Sequence, residues 1–259
     1  MYVTQFASIA VDGGLHDTAL AEVQRFRGAV YVAEGNVDAS ELSFDGRHIQ
    51  SADDRSWHIL SAVGDSIESC GRICLYPRNV RYSDLAVSHS ALAHCDEWRD
   101  VLRRAVEVQI DAAKQRGVSF AELGGWAIAP NRRCTMEAVR MVIAGYALAQ
   151  LLGGAVGVTT ANIRHHSASI LRRLGGMRLT SGHRELPSYY EPLYRSELEI
   201  LRFESSKPSL RFLSRMNECC GLLRHVTVIA RQGSAAKLSP AAAPEESGVV
   251  WEEAALSYS

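Results

Sequence analysis

Between residues 97 and 174 the hydrophobic period switches repeatedly between that of a helix and that of a strand, with glycines or a proline at most of the switches. Residues 97–116 carry an apolar stripe of Trp98, Val101, Ala105, Val108 and Ala112, at helical spacing, and Gly117 stops it. Residues 120–129 read as a strand ended by Pro130. Residues 135–152 form a strongly apolar helix, with Thr135 as its cap and Gly153-Gly154 at its end. Residues 155–160 are almost wholly apolar, the pattern of a central strand buried on both faces. Residues 163–174 are helical again, up to Gly175-Gly176. Strands joined through helices lie parallel, because the helix carries the chain back along the sheet.

The flanks read differently. Residues 17–33 have helical spacing through Ala19, Val23, Phe26 and Val30, and residues 34–56 form a polar loop. Residues 57–63 and 67–76 are strand-like runs around Gly64-Asp65-Ser66, a hairpin signal. Two last strands are predicted at 177–180 and 197–203, with Pro187-Ser188-Tyr189-Tyr190 in the loop between them. The fold class expected is therefore α/β: a mixed sheet, parallel in the middle and antiparallel at the ends, with helices on both faces. One domain spans residues 1–207, residues 208–230 add a packed C-terminal segment, and residues 231–259, rich in Ala, Ser, Pro and Glu, read as a flexible tail.

Composition excludes several functions. Lys plus Arg is 28 against 29 for Asp plus Glu, so no global charge draws the chain to nucleic acid. No apolar run is long enough to span a membrane. Met1-Tyr2-Val3-Thr4-Gln5 lacks a basic region before an apolar stretch, so a signal peptide is not expected and the cytoplasm is the predicted location. The six cysteines are then reduced thiols. Cys70 and Cys74 do not have zinc-ligand spacing, the neighbours His165 and His166 point in different directions on a helix, and no metal site is predicted.

Three segments resemble the GNAT superfamily of acyltransferases. They are Glu122-Leu-Gly-Gly-Trp-Ala-Ile-Ala-Pro-Asn-Arg-Arg133, a strand running into a helix start; Ala168-Ser-Ile-Leu-Arg-Arg-Leu-Gly-Gly176; and Tyr189-Tyr-Glu-Pro-Leu-Tyr194 with the strand that follows. The third is similar to the branch containing N-acyl amino acid synthases and acyl-homoserine-lactone synthases. Arg27-Gly-Ala-Val-Tyr-Val-Ala-Glu34, Asp53-Asp-Arg-Ser-Trp-His-Ile-Leu60 and Gly71-Arg-Ile-Cys-Leu-Tyr-Pro77 resemble that branch's opening helix, acidic loop and first hairpin. The resemblance covers roughly residues 17–205. Its departures are local. Met136 replaces a loop glycine, Leu171 stands at the usual tyrosine, and Gly124-Gly125-Trp126 replaces the Ser-Arg-Phe of homoserine-lactone synthases. The N-acyl amino acid branch is the better fit.

The resemblance implies transfer of an acyl group, long-chain and carried on acyl-carrier protein, to the amine of an amino acid or related small molecule. An acetyl-coenzyme A-dependent N-acetyltransferase and a non-catalytic acyl-thioester or protein-binding relative are the alternatives. No cofactor is held tightly; the acyl-phosphopantetheine donor is a co-substrate. Glu122 is the expected general base, since an ammonium must lose a proton before it attacks. Tyr189, Tyr190 and Tyr194 are candidates to protonate the leaving thiolate, with Tyr190 foremost. Trp126, Ala127, Ile128, Arg132, Arg133, Met136 and Ala138 surround the expected donor site, where a helix N-terminus can hold a phosphate. Glu137 is expected to repel a pyrophosphate there, so a single phosphate is easier to hold than those of coenzyme A. Arg27, Asp53 and Asp54 resemble positions that shape an acceptor pocket. Arg164, His165, His166, Arg172 and Arg173 form a basic stretch that suits an acidic carrier protein or is simply a solvated face.

Overall fold

The computed structural model describes residues 9–231. The start of the chain and, but for Arg231, the expected tail lie outside the described residues. Strand β1 (Ile9–Val11) leads into helix α1 (Gly13–Ala33). The Asp12 carboxylate accepts from the Leu15 N–H at 3.0 Å and starts α1 earlier than the apolar spacing predicts, because a cap lies outside the periodic pattern. Strands β2 (Trp57–Val63) and β3 (Ser66–Tyr76) form the hairpin. After them come α2 (Arg99–Arg116), β4 (Ser119–Ile128), α3 (Glu137–Leu151), β5 (Ala155–Asn162) and α4 (Ser167–Arg173). The chain continues through β6 (Met177–Arg178), β7 (Thr180–Ser181), β8 (Arg184–Glu185), β9 (Tyr189–Glu191) and β10 (Ser196–Glu204). It ends with α5 (Leu213–Leu223) and β11 (Val228–Ala230).

The main sheet runs β2-β3-β4-β5-β10-β6, with β9 also on β10. Only β4 and β5 within it are parallel, joined through α3 as the alternation predicts. A core on one face gathers Ile73, Ala121, Leu201 and the apolar side chains of α3. A second core, on the other face, gathers Tyr76, Phe120, Val158, Ile200 and the inner side of α2. The face of α1 packs beside it on Leu60, Cys70 and Ala127. Apolar residues surround α3 because it is covered twice: by the sheet inside, and outside by α5, whose Met216 and Leu223 join the same core. Each such aliphatic side chain contributes about 1.5–3 kcal/mol on burial.

Helix α4 starts at Ser167 and not at residue 163. Asn162 Oδ1 accepts from the His165 N–H at 3.1 Å, and His166 has φ +61°. A left-handed residue cannot sit inside a right-handed helix. Residues 163–166 are thus a turn, and Arg164, His165 and His166 lie on it. The loop predicted at Tyr189 is partly the short strand β9.

Candidate active site

The parallel ladder between β4 and β5 ends at the pair Leu123–Thr159. Up to there the strands are held close: a Cβ on Gly157 would lie 1.9 Å from the carbonyl oxygen of Ala121. Beyond it, β4 follows β3 alone. Gly125 has φ +61°, and the β3–β4 register shifts between Cys70 and Arg72. A glycine is required at that φ, and the irregularity is a bulge. The strands part, and a cleft of about 1010 Å³ opens between them. Leu123, Met141, Val142, Ile170, Leu171 and Leu198 give it apolar walls.

Glu122 lies on the wall of this cleft, one residue before the strands separate. Its carboxylate accepts from the Ala86 N–H at 2.9 Å, the Val87 N–H at 2.8 Å and the Tyr76 hydroxyl. A carboxylate has about four acceptor positions, so one remains for a ligand or water. Burial, followed by the charge of Glu122, pushes the Tyr76 hydroxyl far above its ordinary range, so it acts as a fixed donor.

The β4 residues Trp126, Ala127 and Ile128 line the cleft, as do Arg133 and Ala138 in the loop and first turn of α3. Arg132 and Met136 do not. Arg132 pairs with Glu68 at 3.2 Å, and Arg133 pairs with Glu34 at 2.9 Å. The Ala129 N–H is taken by the Glu68 carbonyl at 2.8 Å, which removes it from the donors open to an acyl oxygen. Glu137 overturns the repulsion expected of it. It is buried, and its Oε1 accepts from the Ser69 hydroxyl at 2.6 Å. Its carboxylate is spent inside the fold, so the physical argument for one phosphate over several disappears. Thr135 Oγ1 accepts the Glu137 N–H at 3.1 Å just ahead of α3, but the N-cap position itself falls on Met136 and not on Thr135 as expected. Cys134 is exposed, with φ +59°.

Arg27 and Asp53 meet in the structure, but behind the cleft wall and not in it. Arg27 is fully buried and reaches both oxygens of Asp53, at 3.0 and 2.6 Å. Gln24 Nε2 and the Gln50 N–H add two bonds to Asp53 Oδ2, each at 3.0 Å. Arg72 binds Asp53 Oδ1 from the other side and does line the cleft. Burial would raise the Asp53 carboxyl, but the Arg27 bonds and the charges of Arg27 and Arg72 hold it well below the usual range. Asp54 is exposed and belongs to neither the ion cluster nor the cleft wall. His48 lines the cleft next to Arg27, and burial first, then that charge, pushes it down to about 4.

Tyr190 is a correction. Strand alternation buries Tyr189 and Glu191 and leaves Tyr190 60% exposed, outside the cleft. Tyr189 and Tyr194 do line it. The Tyr194 hydroxyl accepts from Gln50 Nε2 at 2.7 Å. Among the described residues no group of three or more His, Cys, Asp and Glu side chains is gathered as a metal site.

No family model and no curated protein sequence matches the chain. Solved structures do. A CoA-dependent acyl-homoserine lactone synthase, BjaI, seen with SAM and isopentyl-CoA, matches with a TM-score of 0.57 at 15% identity, over 88% of this chain and 94% of the other. The fold is that of the acyl-homoserine lactone synthases. A second CoA-dependent acyl-homoserine lactone synthase, MesI, matches with a TM-score of 0.51 at 14% identity, over 80% of this chain and 90% of the other. FeeM, an N-acyl amino acid synthase from uncultured soil microbes, has a TM-score of 0.48 at 12% identity, over 76% and 89%. The GNAT-type synthase fold expected from the sequence is thus met in BjaI and MesI, at the level of the fold. Within this synthase fold, sequence reasoning missed Arg72, Tyr76, Gln50 and Ser69. Arg72 and Tyr76 are polar tips four residues apart, and so on one face of a largely buried strand, a signal that was legible. Gln50 and Ser69 carry none.

Proposed function

We propose that this chain is an N-acyltransferase that takes an acyl group from a phosphopantetheine thioester lying in the β4–β5 opening. The observation that carries the reading is that opening, about 1010 Å³ and unfilled by Trp126 or Met136, with Glu122 at its wall. Small-molecule sites commonly measure roughly 300–1,000 Å³, so this one is large enough for an acyl chain, a pantetheine arm and a small acceptor. Glu122 takes the proton of an ammonium, directly or through water. The free amine attacks the thioester carbonyl, the C–N bond forms, the C–S bond breaks, and the thiolate leaves with a proton from Tyr189, Tyr194 or water. Beyond Leu123 strand β4 has no β5 partner, and backbone N–H groups on that edge serve as donors to the acyl oxygen as its charge develops.

The acceptor is an amino acid or a related small amine. The inward turn of Glu137 removes the phosphate argument for acyl-carrier protein and leaves the family resemblance as its one ground, and the two CoA-dependent synthases above share only the fold, so both donors enter the test. Purified protein is incubated with long-chain acyl-carrier protein or acyl-CoA and a mixture of amino acids and S-adenosylmethionine, the ligand seen in BjaI. Mass spectrometry then reads N-acyl products. A new amide that fades in Glu122→Gln supports both the reaction and the base. One observation favours a second reading, a non-catalytic acyl-thioester binder: Glu122 already holds Ala86, Val87 and Tyr76. Donor binding without amide from any acceptor would decide for it.

A further inference from the structure

We propose that Arg72 is a carboxylate clamp, so that the amine acylated here belongs to a molecule with a free carboxylate beside it. The inference rests on the cleft being the acyl-transfer site, and it adds the residue that selects the acceptor.

The first argument is charge. Arg27 and Arg72 share one carboxylate, Asp53. The other groups on Asp53, the Gln24 amide and the Gln50 N–H, are neutral. His48 is neutral or cationic, never anionic. Glu122, on the same face of the sheet, is committed to Tyr76, Ala86 and Val87, and the one ion pair Arg72 makes among the described residues is with Asp53. One positive charge is therefore left over in a largely buried place, where an anion is attracted more strongly than in water.

The second argument is geometry. Among the described residues the Arg72 guanidinium makes one hydrogen bond, from Nη1 to Asp53. Its side chain is 11% exposed and lines the cleft, so the other N–H groups of a rigid fork face the opening. Gly125 leaves room for the arginine stem: a Cβ there would lie 3.2 Å from Arg72 Cγ and Cδ, whereas one on Gly124 would make ordinary contact, 3.6 Å from Nε. Asp53 holds the arginine from behind, which lowers the entropy lost when a carboxylate docks.

The third argument is unmet polarity. His48 is 8% exposed and lines the same wall, yet its Nδ1 has no partner, and neither does Gln50 Oε1. Buried polar atoms are rarely left unpaired, so a polar ligand is the natural partner for both. Arg72 pairs with Gly124 and Cys74 with Glu122, so Arg72 and Glu122 project from one face of adjacent strands as diagonal neighbours. Such positions are about 7 Å apart. A carboxylate at Arg72 would then leave a neighbouring ammonium within reach of Glu122, matching the two charges of an α-amino acid.

The test compares α-amino acids with small, aliphatic, aromatic and basic side chains against their carboxamides. Acyl transfer is followed with both thioester donors, and thermal shift of the donor-free protein reads binding without turnover. Wild-type protein is expected to use the acids over the amides by about 100-fold in kcat/KM, the scale of a charge-assisted pair of hydrogen bonds. Only the acids should raise Tm. In Arg72→Gln both preferences should vanish while KM for the donor stays constant, and Arg72→Lys should keep a part. Equal use or equal binding of acids and amides by the wild type overturns the clamp, as does a preference that survives in folded Arg72→Gln. A carboxylate-specific Tm rise that Arg72→Gln abolishes, without any amide formed, keeps the clamp and removes the acyl-transfer reading. Neither turnover nor a difference in Tm removes the clamp.

Discussion

At the scale of single residues, Glu122 has two tasks. It holds the backbone at Ala86 and Val87, and it offers its remaining acceptor position to the cleft. Glu122→Gln should lower turnover by about 100-fold or more, the usual scale of general-base catalysis, and should lower stability by about 1–3 kcal/mol. Steady-state kinetics beside urea unfolding checks both, and a stability loss without a rate loss would make Glu122 a positioning residue only. His48 predicts a pH dependence. Its pKa in the folded protein is lowered to about 4, whereas an unfolded histidine titrates near ~6.5. Between those values the unfolded chain binds a proton that the folded one refuses. Stability is therefore complete above pH ~6.5 and falls as the pH drops toward 4. His58 is lowered as well, first by burial, and shares this limb. Tm measured across that range should fall less steeply in His48→Gln than in the wild type.

At the scale of elements, the site is a property of one strand. β4 is tied to β5 as far as Leu123, turns on Gly125, and continues along β3 alone. Gly125→Ala would place a Cβ at φ +61°, 3.1 Å from Arg27 Nη1. The backbone strain costs about 1–2 kcal/mol, and the crowding disturbs the arginine pair as well. Urea unfolding should show a loss of at least that size, and KM for the acceptor should rise more than KM for the donor. An unchanged acceptor KM would separate the arginine cluster from acceptor binding. The turn before α4 teaches the opposite lesson. Residues 163–166 have helical composition, but Asn162 and the left-handed His166 hold them as a turn. Periodicity alone does not locate such a boundary.

At the scale of the whole molecule, α5 and β11 bind distant parts together. α5 covers the outer side of α3, and β11 pairs in parallel with β1, just ahead of α1. Ending the chain after Lys207 would expose the faces met by Met216 and Leu223, which are 6% and 0% exposed. At about 1.5–3 kcal/mol for each side chain, Tm should fall by roughly 10 °C or more, as read by calorimetry. A truncated protein with unchanged Tm would mean that the segment adds nothing to the fold. No helix among the described residues is long and apolar enough to cross a membrane.

The order of elements and the parallel pair at the centre of the sheet were legible in the residues themselves. They follow from hydrophobic period and from glycines that end helices, and both are local. Gly124-Gly125 inside a strand is a local signal as well, of either a bulge or a close backbone approach, and only the register of β3 on β4 decides for the bulge. What each polar side chain faces was not legible. Glu137 turns inward because Ser69, from a different strand, stands opposite it. Tyr190 faces outward because β9 pairs with β10 in a register that sends Tyr189 inward. Arg72 gains its place from Asp53, nineteen residues away, and from Gly124 on the next strand. Period decides which elements form, because it is written along the chain. Pairing of charges and donors across elements decides the site, because those partners meet only when the sheet has closed.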